Sequence, residues 1–178
     1  MRQVALLRGV NVGGKNKVPM KELAALFGEA GCTEVTTYIQ SGNVVFSSTT
    51  KLAKGLTETI STAISKRFGW RVPVVLRTLA ELEKVVSANP FLPAGPVEQL
   101  HVAFLDVAPT AVQVAALDAP RFLPDELTVR GRDVFLRLPH GVGKSKLTNA
   151  YLDSRLKAVS TLRNWRTVLQ LVEMCRAA

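Results

Sequence analysis

From Arg8 to Lys17 the chain runs Arg-Gly-Val-Asn-Val-Gly-Gly-Lys-Asn-Lys, and these residue types suit the capture of an anion. Glycine and asparagine tolerate left-handed backbone conformations, so successive N–H groups can turn toward one point. Arg8, Lys15 and Lys17 would neutralise charge there, while Asn11, Gly13 and Gly14 would donate hydrogen bonds or shape the loop. The segment follows the apolar run Val4 to Leu7 and precedes Val18-Pro19-Met20, which opens like a helix whose positive dipole end favours an anion. It is longer and richer in glycine than a plain strand-to-helix connection requires. The plainer reading keeps Asn11 and the glycines as loop formers and leaves the lysines in solvent. Gln40, Ser41 and Asn43, around Gly42, would add directional donors; taken alone, that tetrapeptide is a hairpin turn.

A second group of polar residues lies late in the chain. Gly141-Val142-Gly143-Lys144-Ser145 falls between a strand and a helix and resembles a P-loop, but Leu138 stands where the first glycine belongs. Without that glycine the arc of N–H groups around a β-phosphate is missing, so ATP hydrolysis is rejected. Simple anion binding by Lys144, Ser145 and Lys146 remains, beside the reading of Ser145 as a helix cap. Arg163-Asn164-Trp165 joins a cation, a cap residue and an indole: Asn164 is expected to cap the last helix, Trp165 to pack in its apolar stripe rather than stack a base, and Arg163 to make an ion pair or carbonyl contact before a phosphate contact. His140 is the better histidine candidate for general acid–base work. No carboxylate evidently orients His140, because Asp106, Asp118, Asp125 and Asp133 are scattered through loops. His101 reads as a satisfied edge residue. The histidines and cysteines lack metal-ligand spacing and no nucleophile elbow occurs, so no metal, cofactor or catalytic residue is assigned.

The elements that must position these residues come in two rounds. Val4 to Leu7 is a buried strand, and Met20, Leu23, Ala24 and Phe27 mark a helix ended by Gly31. Glu34 to Gln40 and Val44 to Ser47 form a hairpin, residues Leu52 to Phe68 a second helix, and Val72 to Arg77 a strand. After a short helix, Leu79 to Ala88, and a Pro/Gly linker, the order begins again. Val102 to Leu105 is a strand, Pro109 to Leu117 a helix, and Glu126 to Arg130 with Val134 to Leu138 a hairpin. Lys146 to Leu156 is a helix capped by Ser145, Ala158 to Thr161 a closing strand, and a last helix carries Trp165, Val168, Leu169, Val172 and Cys175. Two β-α-β-β-α-β units predict an α+β fold of two ferredoxin-like subdomains with an extra C-terminal helix. The boundaries are 1–78, a short helix and linker over 79–98, and 99–178. Identity between the halves is negligible, so the repeat is one of element order. In each unit the loop after the first strand and the turn between the second and third lie at one end of the sheet. That brings Arg8 to Lys17 near Gln40 to Asn43. In the second unit the loop after the third strand, His140 to Lys146, lies at the other end of the sheet, where the closing strand exits into Arg163-Asn164-Trp165.

The 178 residues carry a formal net charge of +9, which favours anionic partners such as phosphorylated metabolites or nucleic acid. Only 6% of residues are aromatic, so no broad base-stacking surface is expected. No signal peptide or membrane span is visible and Cys32 and Cys175 have no CxxC partner, which points to a cytoplasmic protein with reduced thiols and no membrane partner.

The segments Ala5 to Gly14, Lys17 to Met20 and Tyr38 to Phe46 resemble the N-terminal signature of the bacterial "domain of unknown function 1697" family. Asn89-Pro90-Phe91, Gly141 to Leu147 and Arg163 to Val168 are similar to its later motifs, with Leu162 and Arg166 departing from the pattern. The resemblance implies a duplicated ferredoxin-like fold and supplies no reaction. The expected function is therefore binding of a phosphate-bearing or other anionic ligand at the first loop. An RNA-binding module and a small-molecule enzyme without a classical catalytic group stand as alternatives.

Overall fold

The computed structural model describes residues 1–93 and 95–177. The chain divides into two compact units, residues 1–83 together with those from Leu171 onward, and residues 84–170. The last helix is thus shared between units, where the sequence reading placed it wholly in the second.

The first unit runs β1 (Arg2–Leu7), α1 (Met20–Glu29), β2 (Thr33–Tyr38), β3 (Asn43–Ser47), α2 (Thr50–Phe68) and β4 (Val74–Thr78). Its sheet has the order β2-β3-β1-β4 with antiparallel neighbours throughout, which is the ferredoxin-like arrangement. One face of the sheet (Ala5, Leu7, Val44, Phe46 and Val74) joins Leu23, Phe27, Leu56, Ile60 and Ile64 in a single core. Each large side chain buried there contributes about 1.5–3 kcal/mol. The opposite face, with Val4, Leu6, Val45 and Val75, is also closed to water, which is why β1 reads as an unbroken apolar run. The helices stop and start where local chemistry allows. Pro19 opens α1 without a side-chain cap, the Thr49 hydroxyl accepts from Leu52 N at the start of α2, and Gly69 ends α2 in the left-handed region. The exposed edge strand β2 carries Glu34, which pairs with Arg2 at 3.3 Å, beside a register irregularity between Thr33 and Thr36. Charge and irregularity both discourage pairing of that edge with another chain.

After α3 (Leu79–Ala88) the second unit repeats the plan with β5 (Leu100–Leu105), α4 (Ala111–Ala115), β6 (Glu126–Arg130), β7 (Asp133–Arg137), α5 (Asn149–Leu156) and β8 (Ser160–Asn164). Its sheet order is β6-β7-β5-β8, and α6 (Trp165–Arg176) follows. The repeat extends to residues as well as element order. Arg77 on β4 stands opposite Val4, Arg163 on β8 opposite Val102, and both arginines are buried. Each donates from Nη1 to the carbonyl of the residue before it, at 2.9 and 2.8 Å. A helix cap follows each: Thr78 Oγ1 accepts from Glu81 N, and Asn164 Oδ1 from Thr167 N.

Three expectations are corrected. The helix read as starting at Lys146 begins at Asn149, because Leu147 is pulled into the core and Thr148 then supplies the cap. The closing strand lies two to three residues later than the apolar pattern suggested, at Ser160–Asn164. His101 sits on the central strand β5, not at an edge; it is buried, with Nδ1 3.2 Å from Gln99 O.

Burial pushes the His101 pKa below its ordinary value of 6.5. The folded state therefore binds its proton less tightly than the unfolded state does, so stability is lost as pH falls through 6.5. The expected outcome is a declining unfolding free energy in acid, by at most about 1.4 kcal/mol per pH unit from this group, that His101→Gln flattens. Denaturant titrations at a series of pH values check it. Burial likewise raises the Cys32 thiol and pushes Cys175 up to about 11, so both should resist an aromatic disulfide reagent until the protein is unfolded. A thiol that reacts rapidly in the folded protein would contradict the packing described.

Candidate functional site

The two polar segments of the first unit do meet. Leu7 N donates to Gly42 O at 2.8 Å, so the turn between β2 and β3 is bonded directly to the end of β1. A Cβ added at Gly42 would lie 2.8 Å from Leu7 Cβ and 3.3 Å from Val10 Cβ, and φ there is +72°. Only glycine fits. Asn11 locks the loop onto the same turn: Nδ2 donates to Gln40 O at 2.9 Å and to Val18 O at 3.0 Å, while Oδ1 accepts from Val18 N at 2.8 Å. Asn16 holds the near side, donating from Nδ2 to Gly9 O at 3.1 Å and accepting Asn11 N at 3.1 Å through its carbonyl. Val12 to Lys15 forms a tight reversal closed by Lys15 N to Val12 O at 3.0 Å, with Gly13 and Gly14 both left-handed at φ 57° and 75°. Such a two-residue turn needs positive φ at both centres, which explains the glycine pair.

This geometry sorts the expected residues. Asn11 is half-buried and shapes the loop, its amide being engaged with backbone at both ends. Asn43 is fully buried, bonding Tyr38 O and Ser41 Oγ; the directional contact expected from it goes into holding the turn. Arg8 is half-buried, and its N–H bonds Pro73 O at 3.0 Å. Gly13, Gly14, Lys15, Lys17 and the Gln40 side chain are exposed, and Ser41 is half-buried. The N–H groups of Gly13 and Gly14 have no acceptor among the described residues. Val12, next to Gly13, and Ile39, next to the Gln40 that Asn11 bonds, are both exposed, Ile39 at φ 48°, a strained conformation for a β-branched side chain.

The second group is divided by the structure. His140, Lys144 and Lys146 line a cleft of about 450 Å³ together with Arg121, Phe122, Leu123, Pro124 and Asp125. Ser145 is half-buried and accepts Leu147 N at 3.0 Å, closing a local turn instead of capping the helix. Arg163, Asn164 and Trp165 do not line the cleft. Arg163 is buried against Thr161 Oγ1 at 2.9 Å, and burial lowers its guanidinium to about 10, which leaves it charged at neutral pH. Trp165 is 1% exposed and packs, so it presents no face to a base. Sequence reading missed Asp125 and Arg121 as neighbours of His140. The signal was present in the hairpin: β6 and β7 pair with Glu126 opposite Arg137, so residues just before β6 must meet residues just after β7.

Charge is distributed unevenly over the side chains. Arginines make the ion pairs, among them Arg67 with Glu22 at 3.3 Å and with Glu29 at 3.0 Å. Lysines make none among the described residues, and all are exposed. Glu22, the carboxylate nearest in sequence to the first loop, is thereby taken up by Arg67, and Lys15 and Lys17 keep their charge. No group of His, Cys, Asp and Glu suited to a metal ion occurs among the described residues, and no helix is long and apolar enough to cross a membrane.

The close approach at Gly42 sets a measurable limit. Gly42→Ala should destabilise the protein by about 2–4 kcal/mol in denaturant unfolding, through overpacking and backbone strain. Gly13→Ala, with nothing within 4 Å of the added Cβ, should cost only the left-handed conformation, about 1–2 kcal/mol. Equal losses at the two positions would contradict the clamp between turn and strand.

Comparison with known proteins agrees with the architecture. The structure of a conserved bacterial protein, SP0830 from Streptococcus pneumoniae, superposes with a TM-score of 0.72 at 24% sequence identity, covering 98% of each chain. At that identity the likeness establishes the fold alone. No curated protein matches the chain. The family described as protein of unknown function, DUF1697, matches residues 1–135, three quarters of the chain, and the chain belongs to that family.

Proposed function

We propose that the first unit binds a phosphate-bearing or other anionic small molecule at the loop from Arg8 to Lys17. The observation that carries this reading is the pair of exposed N–H groups of Gly13 and Gly14, which have no acceptor among the described residues, on a loop fixed by Asn11 and followed at once by the exposed cations Lys15 and Lys17. Preorganised amides and ammonium groups attract an anion without reordering the loop. Comparison of the two units supports a role beyond connection. The same fold needs residues 8–19 to join β1 to α1 in the first unit but only 106–110 to join β5 to α4 in the second. The frame therefore closes with less than half that length, and the surplus is where the glycines and lysines sit. Gln40 and Ser41 flank the loop and would add donors to the same ligand.

An RNA-binding role has less support at this place. The exposed side chains beside the loop, Val12 and Ile39, are aliphatic and offer no stacking platform.

Titration calorimetry with inorganic phosphate, nucleotides, phosphosugars and a short RNA tests the proposal against the Lys15→Ala/Lys17→Ala double variant. Both lysines are exposed and neither side chain makes a hydrogen bond or ion pair among the described residues, so the variant should fold normally. Saturable binding that weakens at least about tenfold in the variant is expected, equivalent to about 1.4 kcal/mol. Binding that the double variant leaves unchanged, or no saturable binding by any probe, would overturn it. Tight RNA binding with a steep salt dependence would instead favour the nucleic-acid reading.

A further inference from the structure

We infer that the second unit holds a separate binding site for a phosphorylated polyol, a small molecule with a phosphate at one end and hydroxyl donors at the other, in the cleft between the segments Arg121 to Asp125 and His140 to Lys146. Three features of the cleft carry this. The first is size: at about 450 Å³ it falls in the range of small-molecule sites, roughly 300–1,000 Å³. The second is charge. Arg121, Lys144, Lys146 and His140 line it, all are exposed, and none makes a side-chain hydrogen bond or ion pair among the described residues. Four cationic or protonatable groups around one concave space suit a phosphate. The third is Asp125. Its residue is only 9% exposed, it lines the same cleft, and its carboxylate also makes no ion pair among the described residues. An ionised carboxylate accepts hydrogen bonds only, and a phosphate paired with cations is held as its dianion, which keeps at most one proton to offer. A ligand that meets both the cations and Asp125 therefore carries donors as well as an anionic group. The carbon skeleton between them would lie on Phe122, Leu123 and Pro124.

Both walls are fixed by the protein itself. The Phe122 ring packs edge-on to Tyr151 at 4.8 Å between centroids, and the Tyr151 hydroxyl donates to Leu117 O at 2.6 Å. Asp125 N donates to Phe122 O at 2.9 Å, which sets the carboxylate's place in the turn. Across the cleft, Gly141 N bonds Leu138 O at 3.0 Å and Lys144 N bonds Gly141 O at 3.2 Å. As in the first unit, the loop that carries the charge is one the frame can do without. Residues 138–148 connect β7 to α5, whereas residues 48–49 connect β3 to α2.

Titration of the full chain with ribose 5-phosphate, inorganic phosphate and ribose, followed by the ring signals of His140 in NMR, tests the assignment. Ribose 5-phosphate should bind saturably and at least about tenfold more tightly than either inorganic phosphate or ribose. Lys144→Ala/Lys146→Ala should weaken it at least about tenfold, while Lys15→Ala/Lys17→Ala leaves it unchanged, which separates this site from the one in the first unit. Asp125→Asn should narrow the preference for ribose 5-phosphate over inorganic phosphate. Equal affinity for inorganic phosphate and ribose 5-phosphate, an unchanged affinity in the Lys144/Lys146 variant, or no shift of His140 at saturation would each overturn the inference, and the comparison of probes on the unaltered chain does so even if Asp125→Asn fails to fold.

Discussion

The strand β1 has no free edge and no wet face, and the first unit is arranged around that fact. β3 and β4 occupy its two edges, and Val4 to Leu7 are entirely buried. The ladder runs one bond beyond the paired register, from Leu7 N to Gly42 O, so the β2–β3 turn is pressed against the point where the chain leaves the sheet. A side chain on residue 42 would collide with Leu7, which makes glycine obligatory there. The loop that follows has to climb over this turn, and Asn11 fixes its course with three hydrogen bonds, each worth on the order of 1 kcal/mol net. The rigidity of the exposed glycine turn at the loop tip thus descends from the burial of β1.

The second unit repeats the constraint and departs from it where the loops differ. Leu105 N bonds Arg132 O at 2.8 Å, the counterpart of the bond from Leu7 to Gly42. Asp106 then takes the locking role, its Oδ1 accepting Val107 N and Val159 N at 2.8 Å each, and the chain reaches α4 almost at once. The long connection of this unit lies instead after β7, at the opposite end of its sheet, because β7 runs antiparallel to β5. Duplication supplied one frame with two ends, and each unit extends a different one. Loops that a fold tolerates but does not need are where function is added to a scaffold.

Most of the frame was legible in the sequence because it is written in local chemistry. Apolar periodicity marked the helices, unbroken Val and Leu runs marked the central strands, and Gly31, Thr49 and Gly69 stood at helix ends. The start of α5 was not legible, since Ser145 and Thr148 are both competent caps and the burial of Leu147 decides between them. Packing of Trp165 in the apolar stripe of the last helix and a carbonyl contact for Arg163 are the readings the structure bears out, over the ligand contacts the sequence also allowed. Asn11 and Asn43 were read as donors to a ligand because a carboxamide does not reveal which backbone groups will come within its reach. The partnership of Asp125 with His140 in one cleft required the register of β6 against β7, a long-range fact that the turn at Gly131 only implies.

The charge pattern ties these points together. A net charge of +9 says little by itself, since a basic total is compatible with a merely soluble surface. The division of labour between the two basic residues says more. Many arginines hold the fold, through pairs such as Arg2 with Glu34 and Arg71 with Glu58 or buried as Arg77 and Arg163 are, while Arg121 is exposed at the second cleft. Lysines make no ion pair among the described residues, and four of them (Lys15, Lys17, Lys144 and Lys146) stand exposed on the two long glycine-bearing loops. Within each loop the two like charges, two residues apart, repel one another, a small unfavourable effect on the folded state that salt screens. On the proposed reading, an anion bound at each loop would account for charges that do not help the fold, placed on loops that the fold does not require.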